Sequence, residues 1–333
     1  MTRSFKPVWL ALTALCLMLF IVSLLTGPAG LTLDLPFAAW RGDAAARLVL
    51  VELRLPRALL GLLVGSSLGL AGAALQGLFR NPLAEPGVIG VSGCAALGAV
   101  LVFYSGASLA MPMALPLGGI AGALVAIALL QLLALRDPRL ATILLAGVAL
   151  AALAGALTAL ALNLSPNPYA VVEIVFWLMG SLADRSLQHV ALALPFMAVG
   201  WVLMLSGARS LEALTLGEDT AHSLGIGLRS LRLRVVVGAA LAVGAGVAVS
   251  GAIGFVGLIV PHLLRPFFGH RPAPLLAASW LGGGILTLTA DIVVRFLGGD
   301  TELRLGVATA LVGAPFFFWL VLRGPRSDMR GGT

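Results

Sequence analysis

Charge is confined to short intervals of this chain, and the gaps between them are as long as a membrane is thick. The clearest gap runs from Ala58 to Phe79, 22 residues without a charged side chain. About 20 apolar residues in a helix cross the hydrocarbon core of a bilayer. Within this gap Gly61, Gly65, Gly69 and Gly72 recur at intervals of four, four and three. That spacing sets them on one helical face, where a missing side chain lets another backbone come close. Arg54, Pro56 and Arg57 stand at one end. At the other, Arg80 leads into Asn81-Pro82-Leu83-Ala84-Glu85-Pro86-Gly87, whose prolines and glycine force a turn.

The remaining gaps repeat the pattern. Lys6 to Asp34 holds a first span, and the 50 uncharged residues between Glu85 and Arg136 hold two more, parted by Pro112 and Pro116. Arg139 to Glu173 holds a fifth and Leu187 to Ser206 a sixth. Arg234 to Arg265 has room for a seventh span and a shorter helix, with a break near Gly251 and Gly254. Pro272 to Arg295 and Leu305 to Leu322 complete an all-α polytopic membrane protein of about ten transmembrane helices. It reads as one domain, 1–333. Composition agrees: 11% of residues are charged and the mean hydropathy is +1.06, against about 25% charged in soluble domains. The apolar run from Pro7 to Leu33 is too long for a signal-peptide core and lacks a cleavage site, so it reads as a span.

The net charge of +7 raises nucleic acid as a partner. The basic residues form no patch with interleaved aromatics, so that class is set aside. They flank the spans instead. With both termini cytoplasmic, 14 of the 21 Lys and Arg fall on that side: Arg3, Lys6, Arg80, Arg136, Arg139, Arg209, Arg229, Arg232, Arg234, Arg265, Arg271, Arg323, Arg326 and Arg330. The positive-inside rule supports this orientation, expected in a bacterial inner membrane with lipid as surroundings.

Cys16 and Cys94 lie in apolar segments and read as buried thiols. His189, His222, His262 and His270 are scattered, and no metal-ligand spacing occurs. Lys6 is the one lysine, and no P-loop surrounds it. If transport is ATP-driven, a separate subunit supplies that chemistry. The longest polar stretch between spans is Leu211 to Arg232, on the cytoplasmic side. Leu214, Leu216, Ala221 and Leu224 offer an apolar face there, and Gly217 and Gly225 interrupt the backbone. Two short helices joined by a turn fit this text, as does an ordinary amphipathic loop.

Taken together, several motifs resemble the FecCD family of ABC-transporter permeases, which carry cobalamin, heme and ferric siderophores. They are Arg54-Leu55-Pro56-Arg57, Gln76 with Asn81 to Gly87, Gly90-Val91-Ser92, Pro261-His262, and Gly306 with Gly313-Ala314-Pro315-Phe316-Phe317. The resemblance covers nearly the whole chain. It implies the type II importer permease fold and a homodimer working with two ATP-binding cassette subunits and a periplasmic substrate-binding protein. It implies no cofactor on this chain, the ATP and magnesium being used by the ATPase.

The resemblance also implies site residues. Residues 211–232 match the coupling helices that seat on the ATPase, through Leu214, Gly217, Glu218, Ala221, Leu224 and Gly225. Arg54, Arg57 and Arg295 match arginines presented to the binding protein, a role the planar guanidinium suits. The same residues also read as interfacial anchors, or for Arg295 as an i,i+4 partner of Asp291. Asn81 and Leu83 match an inner gate. Thr142, Gly147 and Thr158 lie on the pore-lining fifth span, where helix packing would ask for the same small residues. Phe176 to Ser181 resembles a short helix that cups the channel mouth.

The cargo expected from this resemblance is an intact iron chelate, a ferric siderophore before heme or cobalamin. Two other classes compete. An ion-coupled secondary transporter usually carries charges inside its spans, and here mid-span positions have none. A membrane enzyme needs a nucleophile and base or a metal site, and none stands out.

Overall fold

Proline and glycine cut the apolar intervals into helices. The computed structural model describes residues 5–27, 30–107, 111, 113–136, 139–165, 167–269, 271–297 and 303–322. Pro112, Pro166, His270, Arg3, Arg323, Arg326 and Arg330 lie outside the described residues. Helix α1 (Lys6–Leu25) starts on Pro7, whose missing N–H costs nothing in a first turn. A hairpin follows, β1 (Thr26–Gly27) antiparallel to β2 (Gly30–Leu31). The short helices α2 (Leu35–Trp40) and α3 (Ala44–Leu48) lead through a π-helical turn, Val49–Arg54, into α4 (Leu55–Phe79). A 3-10 turn, Pro86–Ile89, precedes α5 (Val91–Tyr104).

Next come α6 (Ala114–Arg136), α7 (Leu140–Asn163), α8 (Pro168–Leu178) and α9 (Leu187–Ser206). The short pair α10 (Ala208–Leu214) and α11 (Glu218–Ser223) leads to α12 (Leu228–Ser250). The chain closes with α13 (Val256–Leu264), α14 (Pro272–Leu297) and α15 (Leu305–Leu322). Among the described residues seven helical segments are long and apolar enough to cross a membrane, α3 through α4 counting as one. Shorter apolar helices are α5, α8, α13 with its 3-10 extension to Phe268, and α15.

Three boundaries differ from the sequence reading. The first span stops at Leu25, because the strands of the hairpin, Thr26–Gly27 and Gly30–Leu31, lie within the interval to Asp34. The fifth interval yields two helices: α7 ends at Asn163, and Pro168 opens α8 with Asn167 capping it. α12 begins at Leu228, inside the expected coupling stretch, so Arg229, Arg232 and Arg234 ride on its first two turns.

The bundle is built around α4, which packs on α14, α12, α13 and α9. Its glycine face does what the spacing asks. A Cβ on Gly65 or Gly69 would fall on the carbonyls of Gly283 or Ser279 in α14, and one on Gly72 would fall on the Gly257 carbonyl in α13. Trp201 of α9 donates its indole N–H to Ser67 of α4 at 2.9 Å and meets Trp280 of α14 edge to face. The second face of α4 is thereby fixed without a charge.

Gly69→Val forces the α4–α14 seam apart, and overpacking of this kind costs about 1–3 kcal/mol or more. Thermal unfolding in detergent should show a clear drop in midpoint. Gly155→Ala is the control, because a Cβ there meets nothing within 4 Å. Equal midpoints for the two variants would show that close approach at this seam carries no weight.

Candidate functional site

One end of the bundle carries the three arginines. The last carbonyls of a helix have no partner inside the helix, and in an apolar layer no water replaces one. At the end of α1 they are met from two other helices. Arg54 donates through Nη1 to the carbonyls of Leu24 and Leu25, at 3.1 and 2.7 Å, and to Thr32 Oγ1. Arg295 donates to the carbonyls of Ser23 and Thr26, at 2.8 and 2.9 Å, and to Ser23 Oγ. Thr26 N–H and Oγ1 both donate to the Val22 carbonyl.

Asp291 closes the knot. Its Oδ1 takes the Arg57 guanidinium at 2.9 Å, and its Oδ2 takes Arg295 Nε at 2.9 Å and Nη2 as well. Asp291 is 0% exposed and Arg295 8%. The structure therefore favours the ion-pair reading of Arg295: its donors are spent inside the fold. Arg54 and Arg57 remain half-buried at the rim.

At the opposite end, the turn after α4 holds α13 in place. Gln76, buried near the end of α4, donates Nε2–H to the Gly257 carbonyl at 3.2 Å, and its Oε1 accepts from Arg265 at 2.6 Å. Asn81 N–H donates to the Gln76 carbonyl, and Asn81 Oδ1 accepts from Leu83 N–H at 2.9 Å. Burial pushes the Glu85 carboxyl above the ordinary carboxylate range, and the backbone of Phe255, just ahead of α13, works against that shift. The end of α4 is thus joined to α13 and to the residue after it at two points, both on the Gln76 amide. Gln76 and Glu85 were visible only as letters of a motif; an amide inside a charge-free span was the available signal for Gln76. Gly147 makes a packing contact. It lies buried under the Pro86–Ile89 turn, where a Cβ would come within 2.6 Å of the Val88 carbonyl. Thr142 and Thr158 are half-buried on α7, Thr142 at the same end as Asn81.

At that end too, α10 and α11 form an elbow. Gly217 and Gly225 adopt φ of +106° and +79°, conformations that favour glycine, and these allow the two turns. Glu218 bonds Arg232 of α12 in two places, at 2.9 and 3.0 Å, and Glu212 bonds Arg271 at 2.7 Å. The apolar face expected here splits in two. Leu214 and Ala221 are buried, because with Leu211 they lie on the sides of α10 and α11 turned to the bundle. Leu216 and Leu224 are the outward pair, 64% and 61% exposed.

A cavity of about 550 Å³ lies where α8, the α12–α13 break and α15 meet. Leu178, Met179, Ala252, Gly306, Leu311 and Pro315 line it, without a charged residue. The Phe176–Ser181 and Gly306–Pro315 motifs, far apart in sequence, thus share one wall. Arg304 stands over the Phe176 ring, 5.2 Å from its centroid.

Comparison with known proteins agrees with this architecture. The FecCD transport family model matches residues 15–323. The vitamin B12 import system permease protein of Vibrio cholerae is 42% identical over 315 residues, covering 94% of this chain and 92% of that protein. The Fe(3+) dicitrate transport system permease protein of Escherichia coli is 39% identical, covering 93% and 99%, and the hemin transport system permease protein of Yersinia pestis is 38% identical, covering 85% of each. A solved structure described as an inward-facing metal-chelate type ABC transporter superposes with a TM-score of 0.85 at 34% identity, covering 96% of this chain and 99% of that one.

Removing one partner of a buried ion pair costs about 3–5 kcal/mol, whereas an exposed pair is worth about 0–1 kcal/mol. Asp291→Asn leaves Arg57 and Arg295 facing each other and should lower the melting temperature steeply or prevent accumulation. Glu212→Gln, which breaks the half-exposed pair with Arg271, should barely move it. Comparable losses would mean that Asp291 is not the hub of this end.

Proposed function

The chain belongs to the FecCD transport family of ABC-importer permeases, and from that premise we propose that it carries an intact metal chelate across the bacterial inner membrane, from periplasm to cytoplasm. Two copies work with two ATP-binding cassette subunits, which hydrolyse ATP with magnesium, and with a periplasmic substrate-binding protein. The carrying observation is the α10–α11 elbow. It caps one end of the bundle, offers Leu216 and Leu224 outward, and is braced to α12 by Glu218. A short helix pair with an apolar tip is the kind of element that seats in a groove on another protein. Gly217 and Gly225 shape it, and Leu214 and Ala221 anchor it from within. This end, with Asn81, Leu83 and Thr142 as gate residues, faces the cytoplasm, and so do both termini.

The other end receives the delivery protein. Arg54 and Arg57 lie at its rim, and Arg295 supports the rim through Asp291. Thr158 and the cavity between α8 and α15 belong to the path, which a second copy completes. We carry forward a ferric siderophore as cargo, supported by the likeness to a ferric dicitrate permease. Cobalamin is the second reading, favoured by the 42% identity to a vitamin B12 permease.

Reconstitution in proteoliposomes tests this. Uptake of labelled ferric siderophore, hemin or cobalamin should require the ATPase, the binding protein and ATP together, and the ligand retained by the binding protein names the cargo. Uphill uptake by the purified chain alone overturns the reading. In the same vesicles, Leu216→Glu with Leu224→Glu should reduce transport-coupled ATP hydrolysis at least about tenfold, the factor that corresponds to losing 1.4 kcal/mol of contact. Unchanged coupling removes the elbow from the interface.

A further inference from the structure

A second cavity, of about 470 Å³, opens beside the elbow between α6, the first turn of α7 and the first turns of α12. Its floor is apolar, formed by the buried Leu130, Ile143 and Val236. Its polar side chains are Gln131 from α6 and Arg229, Ser230 and Arg232 from the first turns of α12. The size is that of a site for a small ligand rather than a packing defect. Its place matters as much as its shape. α6 ends here and α12 begins here, so the floor faces the apolar layer and the arginines stand where the spans leave it.

Among the described residues that line it, the cleft carries arginines and no carboxylate. Arg232 is bonded to Glu218. Arg229, exposed and three residues earlier on the same face, has no carboxylate partner among the described residues. An apolar slot whose edge carries a guanidinium without a carboxylate partner among the described residues, at headgroup level, is complementary to one class of molecule. Basic pockets between transmembrane helices on the cytoplasmic side take anionic phospholipid headgroups. Arginine meets a phosphate through two parallel N–H bonds, and its charge is fixed at any working pH.

We propose that the α6–α7–α12 cleft binds one anionic phospholipid, its acyl chain over Leu130, Ile143 and Val236 and its phosphate on Arg229. Ile143 follows Thr142, so the lipid lies against the back of the helix turn that carries that residue. The site is separate from the α8–α15 cavity and does not depend on the cargo.

The test compares the detergent-purified wild type with Arg229→Gln and with Ala134→Trp, which fills the cleft from α6. Lipid is extracted and counted per chain by mass spectrometry. Melting temperature is then read on adding phosphatidylglycerol, phosphatidylcholine or sodium phosphate. The wild type should retain about one anionic lipid per chain and be stabilised by phosphatidylglycerol alone, the headgroup contact being charge-assisted. Both variants should fold, lose that lipid several-fold and lose the response. Equal responses to the two lipids would remove headgroup recognition. A response to inorganic phosphate alone would leave an ion site without a lipid. Retention unchanged in both variants, or a cross-link from Leu135 to a second copy of the chain, would overturn the assignment.

Discussion

Asp291, shared between two guanidiniums, fixes one half of this bundle. A carboxylate in an apolar interior is costly alone, and so is each arginine. The helix ends around them are costly for the same reason, because the last carbonyls of α1 have no partner of their own. These needs cancel only if α1, α4 and α14 meet at one place. Asp291 draws Arg57 from α4 and Arg295 from its own helix. Arg295 then spends its remaining donors on Ser23 and Thr26, and Arg54 brings its Nη1 to the carbonyls of Leu24 and Leu25. The hairpin after α1 is a consequence: the chain must turn at Thr26 to present those carbonyls.

The other half relies on close approach instead of charge. α4 and α14 meet through Gly65, Gly69 and Gly283, and α13 crosses α4 at Gly72. Lipid tails are as apolar as leucine, so bulk alone gives helices no reason to associate; backbone contact does. The same closeness permits the break after Ser250. α13 is a short, interrupted helix whose freed backbone groups would be exposed in a bare bilayer. Gln76 takes the Gly257 carbonyl, whose partner within the helix would be the N–H that Pro261 lacks. Irregular backbone is tolerated at such depth where protein surrounds it.

Much of this was legible in the sequence because both devices leave periodic marks. Charge-free intervals gave the spans, and the four-residue glycine spacing gave the face of α4 that packs. The elbow could be read from Gly217 and Gly225, since turns need residues that tolerate positive φ. What could not be read was direction within a short helix. α10 has seven residues and α11 six, too few turns for a stripe to declare itself. So Leu214 and Ala221 looked like a surface and proved to be anchors. Gly147 was ambiguous for a related reason, because a pore wall and a packing seam both ask for small residues.

The two ends of the bundle therefore differ in how firmly they are held. At the Asp291 end the bonds are buried, mutual and tied to three spans, and breaking one strands the rest. At the elbow the braces are Glu218–Arg232 and Glu212–Arg271, whose side chains keep 17–58% of their surface in contact with solvent. Pairs of that kind contribute about 0–1 kcal/mol each and weaken with salt. Local opening draws on the least stable contacts of a fold. The elbow's own ion pairs thus offer little resistance to its displacement, yet its inner side is tied to the bundle. Leu211 and Leu214 lie in the core beneath it, and Leu211 packs on Gly77 of α4, next to the Gln76 that holds α13. Weak braces over a buried anchor thus tie the elbow, through Leu211 and α4, to the contact that holds α13, while the Asp291 knot fixes the opposite end of α4.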